Sequence, residues 1–166
     1  MGRSFKDMAD QLRQVVKSGL PLAYATILEE FGQDAKHDAK ENLIGLTAPF
    51  QGVTLPETGQ AFGPWEEHSP VTPELKAASG GGKGGNPDTY LYDTGEMYGS
   101  VEYKVISRSV YLGSNSDHAY DTEYGDPFRH VPSRPFLGPA IIRTAIRRKK
   151  IMAQQITAAL CGRKVS

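Results

Sequence analysis

Five sets of residues in this chain have types or spacings that do chemistry in other proteins. The run from Gly80 to Gly85 encloses Lys83, a pairing that cradles phosphates in nucleotide-binding loops. Here no Lys-Ser or Lys-Thr follows the glycines, and neither a strand before nor a helix after is expected, so the run reads as a tether. Asn115, Asp117, Asp121, Glu123 and Asp126 form an acidic cluster of the kind that holds a hard cation. Calcium loops place ligands at alternate positions around a glycine, and this spacing does not. These carboxylates are expected to cap helices and turns. His37, His68, His118 and His130 are scattered, with no His-x-x-x-His pair. Cys161 is the single cysteine, which excludes an internal disulfide and a multi-cysteine zinc site. No Gly-x-Ser-x-Gly elbow is present. The expectation is no enzyme, no metal and no cofactor. The fifth set is Arg147-Arg148-Lys149-Lys150, a basic run that could touch DNA phosphates, form a solvated face or pair subunits. It has no interleaved aromatic and no reading motif, so sequence-specific DNA binding is not expected.

The elements that must position these residues can be read from periodicity and punctuation. Phe5, Met8, Ala9, Leu12, Val15 and Val16 recur at helical spacing, which predicts an amphipathic helix over 4–18 with Ser4 as its cap. Gly19-Leu20-Pro21 is expected to interrupt it. A second helix is expected over 21–44, with an apolar stripe of Tyr24, Leu28, Phe31, Ala35, Ala39 and Leu43. Glu30, Asp34, Lys36, His37, Lys40 and Glu41 would lie on its opposite side. Residues 47–89 hold six Pro and eight Gly, which predicts a long extended arm without a long helix or strand, ordering mainly on assembly. Trp65, the one tryptophan, would anchor that arm on its own core or on a partner.

Order should return at Tyr90. Asp93 stands three residues before Glu96, a variant of the capping box that predicts a short helical turn. Residues 100–105 and 110–112 alternate as two antiparallel strands joined near 107–109. Residues 118–124 read as a helical turn closed by Gly125. Pro127, Pro132 and Pro135 fix an extended segment, and a last helix should open near Pro139. Its expected apolar stripe is Ile142, Ala145, Ile146, Met152, Ile156, Ala159 and Leu160. The fold class is α+β: N-terminal helices and a C-terminal helix packed on a small, mostly antiparallel sheet, with a long Gly/Pro-rich loop. All 166 residues are assigned to one domain, helical over 1–46, an arm over 47–89, and sheet, proline box and last helix over 90–166.

Composition narrows the function classes. Nineteen Lys and Arg balance nineteen Asp and Glu, which argues against a globally basic nucleic-acid binder. The balance is uneven along the chain: residues 1–126 carry −9 and residues 127–166 carry +9, with no acid among the latter. Such a chain can pair its tail with its body, within one molecule or between copies. Mean hydropathy is −0.44, no segment approaches the ~20 apolar residues of a membrane span, and no signal-peptide core opens the chain. A soluble protein made in a reducing cytoplasm is the expectation.

An ordered series of segments over about 65–145 resembles the tail-completion, or virion-morphogenesis, proteins of long-tailed bacteriophages. Trp65 followed by Ser69, Thr72 and Lys76 is similar to that family's loop with Trp, Thr and Lys. Leu91-Tyr92-Asp93-Thr94-Gly95-Glu96-Met97 with Ser100-Val101 resembles its Asp-Thr-Gly segment. Val110-Tyr111-Leu112-Gly113-Ser114 resembles its strand ending in Gly-Ser, and Glu123-Tyr124-Gly125 its Glu-Phe-Gly turn. Pro132-Ser133-Arg134-Pro135-Phe136-Leu137 is similar to its Pro-x-Arg-Pro-Phe-Leu box. The chain departs from the pattern in its longer Gly-rich loop and in an extra Asp126-Pro127-Phe128-Arg129-His130.

The resemblance implies a structural virion protein without catalysis. Copies would form a ring, expected to be six-fold, at the head-proximal end of the tail. It would join tail to head connector and leave a channel for DNA passing without sequence specificity. Partners would be copies of itself and other neck and tail-tube proteins, with no membrane. A tail terminator or head-closure protein is the alternative, and a DNA-binding module a more distant one. Within the box, Arg134 is expected to fork to a carboxylate such as Glu123 or Asp93, while Phe136 and Leu137 seat on the sheet. Arg147, Arg148, Lys149 and Lys150 would meet either Glu29, Glu30, Asp34, Asp38 and Glu41 of a neighbouring copy or DNA in the channel, and the neighbour is the expectation.

Overall fold

The computed structural model describes residues 5–45, 65–67, 69, 71–81 and 88–161. Most of the Gly/Pro-rich arm, including Gly82–Gly85, lies outside the described residues. The chain is α+β, as expected. Helix α1 (Phe5–Gln14) continues through a π-helical turn (Val15–Gly19) into α2 (Leu20–Ile44). The expected interruption at 19–21 does not occur. Gln14, Gly19 and Leu20 all keep helical dihedrals, and the Leu20 N–H donates to Val15 O five residues back. A proline ring normally collides with the carbonyl four residues earlier; a turn widened to i→i+5 bonding accommodates Pro21 without ending the helix.

Small residues on α2 let the other elements approach closely. Gly32, Ala35 and Ala39 are buried, and a Cβ on Gly32 would run into the Tyr103 ring. That ring belongs to a hairpin of β1 (Val101–Ile106) and β2 (Ser109–Ser114), paired antiparallel with Val101 opposite Ser114 and Ile106 opposite Ser109. Ser107 turns it with φ 56°. Val101, Tyr103, Val105, Val110 and Leu112 face inward at period two, while Glu102, Lys104 and Tyr111 face out. The sheet is tied to α2 at its edges: Tyr103 Oη donates to Glu29 at 3.0 Å and Lys36 Nζ to Glu102 at 2.7 Å.

Helix α6 (Leu137–Leu160) lies along α2 and makes with it the most extensive contact among the described elements. The core gathers at one end of this pair, where Ala39 and Leu43 meet Val101, Ala119, Phe136 and Ala140. Short helices α4 (Glu96–Ser100) and α5 (Ala119–Tyr124) flank the hairpin. Within the described part of the arm, residues Val71–Ser79 form a nine-residue helix, α3, which the Pro/Gly content did not predict. Pro73 sits in its first turn, where the missing N–H costs no bond. Among the described residues no helix is long and apolar enough to cross a membrane.

Candidate functional site

The proline box is placed by α5. Gly125 ends that helix with φ 79°, and a Cβ there would stand 2.9 Å from Ser133 N and 3.0 Å from Val131 O, so the returning chain requires glycine. The return is fixed by Arg134 N–H on Thr122 O at 2.7 Å and Ser133 Oγ on Glu123 O at 2.8 Å. The Glu123 carboxylate then accepts three backbone N–H groups, from Phe136 at 2.8 Å, Leu137 at 2.9 Å and Gly138 at 2.9 Å. These are the donors that the first turn of α6 leaves without helical partners, and an anion there also complements the helix dipole. Phe136, 0% exposed, fills the core, and its carbonyl accepts Asn42 Nδ2 at 2.7 Å. Leu137 packs beside it half-buried, and Pro132 and Pro135 hold the approach.

Arg134 therefore does not fork to Glu123 or Asp93. Glu123 is engaged with the start of α6, and Arg134 Nη2 donates to the Glu66 carbonyl at 3.1 Å. Its guanidinium lies over the Tyr90 ring at 5.6 Å, and Tyr90 packs on Trp65 with ring centres 5.6 Å apart. Burial lowers the Arg134 pKa, against the opposing pull of Tyr90 and Glu66. Trp65 is buried on its own chain. Lys76 closes the same node: its Nζ donates to Thr89 O at 2.6 Å and Tyr92 O at 3.0 Å. Burial lowers its pKa while nearby Asp93 raises it. Cations aimed at carbonyls thus tie Glu66 and α3 to the body.

Asp93 is exposed and is not the helix cap; its carboxylate lies against Gly81, where a side chain would strike it. Gly95, at φ 88°, precedes α4, and Thr94 Oγ1 accepts the Glu96 N–H at 3.4 Å. The Tyr92 hydroxyl packs over Gly95, which leaves no room for a Cβ. Tyr124 is exposed and pairs with Tyr120 at 5.0 Å between ring centres.

The basic run finds its acids inside the same molecule. Along α2, Glu30, Asp34, Asp38 and Asn42 step by four and face α6, so Glu30 and Asp34 do not lie on the side opposite the packed face, as expected of them. Buried Asp38 accepts Arg147 Nη1 at 3.1 Å and Thr144 Oγ1 at 2.9 Å, and lies 3.3 Å from Arg143 Nε. Arg148 bonds both Asp34 and Glu30, and Gln155 Nε2 adds a bond to Glu30 at 3.0 Å. Arg143 joins Asn42 and the Asp38 carbonyl. Hydrogen bonds from Gln155 and Arg148 hold Glu30 below its ordinary pKa. Burial pushes Asp34 up, but Arg148 and Arg147 together outweigh it and hold it low as well. The Asp38 bond raises Arg147, and Arg148 is raised by Asp34 and Glu30 against the larger single effect of burial.

The expectation that Arg147 and Arg148 meet a neighbouring copy is thereby corrected. Lys149 and Lys150 are exposed and make no ion pair among the described residues. The expected apolar stripe of α6 holds at Ala159 and is corrected elsewhere: Ala140, Thr144 and Gln155 are buried with it, while Ile146, Ile156 and Leu160 remain exposed.

Asn42, the end of the polar stripe, was not singled out by sequence; Glu123 was expected to cap a helix or turn, or to pair with Arg134, without α6 being named as the helix it caps. The four-residue step of Glu30, Asp34, Asp38 and Asn42 was the available signal. The acidic cluster is used structurally: Asp121 bonds Arg129, Asp126 holds the following turn, and Glu123 caps α6. No family model, curated protein or solved structure matches the chain.

Proposed function

We propose that this chain is a structural component of a tailed-phage virion, a tail-completion protein of the neck. Its copies form a ring that joins the tail to the head connector and leaves a channel for DNA. The observation that carries this reading is the meeting of segments far apart in sequence. The Trp65 and Lys76 loop, the 89–93 segment and Arg134 of the proline box lock into one node. Glu123 of the Glu-Tyr-Gly turn starts the last helix directly behind the box. Pieces that resemble one family in order thus form one working unit.

Two further features support an assembly role. Leu12, Val16, Ile146, Ile151 and Leu160 expose aliphatic surface on the long helices, a feature of chains that bury area against partners. Glu30, Asp34 and Asp38 of α2 and Arg143, Arg147 and Arg148 of α6 are engaged in structural pairs, which favours a scaffold over a catalyst. The same pairs weigh against the DNA-binding module, because Arg147 and Arg148 are already neutralised. A terminator or head-closure role would use the same surfaces and differ in its neighbours.

Negative-stain electron microscopy and sedimentation of the purified 166-residue chain test the reading. Closed rings with an axial opening wide enough for duplex DNA are expected. A species that stays monomeric and binds duplex DNA with steep salt dependence would overturn it in favour of the DNA-binding module.

A further inference from the structure

Residues 126–131, which hold the extra Asp126–His130 segment, build a rigid knob. Asp126 and Val131 exchange two backbone hydrogen bonds of 2.9 Å. Asp126 Oδ1 accepts the N–H groups of Phe128 and Arg129 at 2.9 and 3.2 Å. Arg129 Nη1 is tied to Asp121 at 2.8 Å, and His130 closes the turn with φ 55°. At its tip Phe128 is 96% exposed. Leaving a phenyl group in water forgoes the gain of burying it. Nothing in the knob's own folding needs that side chain, whereas a phenyl ring held in place by the backbone is preorganised to anchor a partner.

A matching depression lies elsewhere on the molecule. A groove of about 590 Å³ is lined by Val16, Leu20, Pro21, Tyr24, Val105 and Ile156, where the π-helical turn, the hairpin and the far part of α6 come together. Its size is that of cavities that take apolar groups. The knob follows α5, whose Ala119 packs with Leu43 near the end of α2; the groove sits at the beginning of α2. Twenty-five helical residues, roughly 37 Å, separate the two ends. Phe128 is exposed and does not line the groove of its own molecule.

We propose that Phe128 of one copy seats in this groove of a second copy, linking molecules head to tail. Glu29 and Arg108 also line the groove, while Arg129 and the Asp121–Asp126 carboxylates stand at the base of the knob. Within the knob one guanidinium, Arg129, serves two carboxylates, Asp121 and Asp126, and within the groove Glu29 is held by Tyr103; the acid in excess on the knob is a match for Arg108, which favours this occupant over an uncharged apolar segment. Contacts between different patches close into rings or run on as open chains, according to the rotation per step. The contact is therefore independent of the neck reading.

Sedimentation velocity of the purified 166-residue chain over a concentration series tests it. F128A and V16E alter exposed side chains and should keep the native circular dichroism spectrum and melting behaviour. Each should weaken self-association at least about 30-fold, as loss of a central anchor does. Mixed in equal amounts they should form dimers and nothing larger, because each keeps one intact end. A photo-crosslinker at position 128 of the otherwise unaltered chain should label residues 16–25 of another copy. A wild-type chain monomeric at all concentrations, unimpaired association of F128A, or crosslinks confined to other surfaces would each overturn the contact. Closed rings that survive F128A would overturn the contact and leave the neck reading standing; open chains abolished by F128A would do the reverse.

Discussion

The Phe136 N–H donates to Glu123 Oε2 at 2.8 Å, so the carboxylate that starts the 24-residue last helix is carried by a six-residue helix before it. The same carboxylate holds the two following N–H groups, and Phe136 itself fills the core. Capping and core packing are therefore one event: the ring seats only where the cap holds the backbone.

Glu123→Ala should cost about 2 kcal/mol, since it removes a cap and leaves part-buried donors without an acceptor. Glu123→Gln keeps one carbonyl acceptor and should lose less. Urea denaturation measures both. A loss under roughly half a kcal/mol for Glu123→Ala would mean water replaces the carboxylate freely.

Asp38→Ala should be costlier. It strips partners from Thr144, Arg143 and Arg147 at a buried position. Orphaned buried charges cost about 3–5 kcal/mol, but Arg143 and Arg147 are partly exposed, and roughly 2–3 kcal/mol is expected. Arg13→Ala, which removes an exposed partner of Asp10, should change stability by no more than about 0.5 kcal/mol in the same assay.

Acid should loosen the α2–α6 seam. Glu30 and Asp34 have lowered pKa values in the folded chain. Their contribution is complete above the unfolded values, about 4.3 for Glu and 3.9 for Asp, and is lost as pH falls through the lower folded ones. Stability followed from pH 6 to pH 2 should decline below about pH 4.5, and the double variant Glu30→Gln, Asp34→Asn should show a shallower decline. Identical acid profiles would separate these carboxylates from the seam.

Arg134→Ala should cost only about 1–2 kcal/mol. No carboxylate is orphaned; a charged hydrogen bond to a carbonyl and a cation–π contact are lost. Because Trp65 is the one tryptophan, its emission should shift to the red as this tie loosens. An unchanged spectrum would show that Trp65 holds without Arg134.

Charge reversal now separates two halves of the basic run. Arg147→Glu with Arg148→Glu should destabilise the monomer, so a failure to assemble would not identify an interface. Lys149→Glu with Lys150→Glu should leave the melting temperature nearly unchanged and reports on assembly or DNA contact alone. A large thermal loss in the lysine pair would place those side chains in the fold.

The hairpin, the Gly125 stop and the last helix were legible because each rests on local rules: alternation over 100–112, a left-handed glycine, a proline in a first turn. The uninterrupted helix through Pro21 was not, since a π-helical turn leaves no signature in composition. The inner face of α6 was misread for another reason. Hydropathy assigns Ile146, Ile156 and Leu160 to a core, yet the helix buries Thr144 and Gln155 against a polar stripe on α2. Pattern reading assumes that apolar groups face inward; here complementary charges, visible only once two distant segments are set side by side, override it. The proline box was placed in the right region, but the partner of Arg134 is a main-chain carbonyl, which no side-chain pattern can reveal.

The polar seam between α2 and α6 also acts as a vernier. Aliphatic helix faces can slip by one turn, 5.4 Å, and still find oily neighbours. The seam from Glu30 to Asn42 favours one alignment, because a slip by one turn would take Thr144 from buried Asp38 and Gln155 from Glu30. The span from the start of α2 to the proline box is thereby a fixed length. If copies join through opposite ends of the molecule, that length sets the step between them, and a fixed step with a fixed rotation determines how many copies complete a circle.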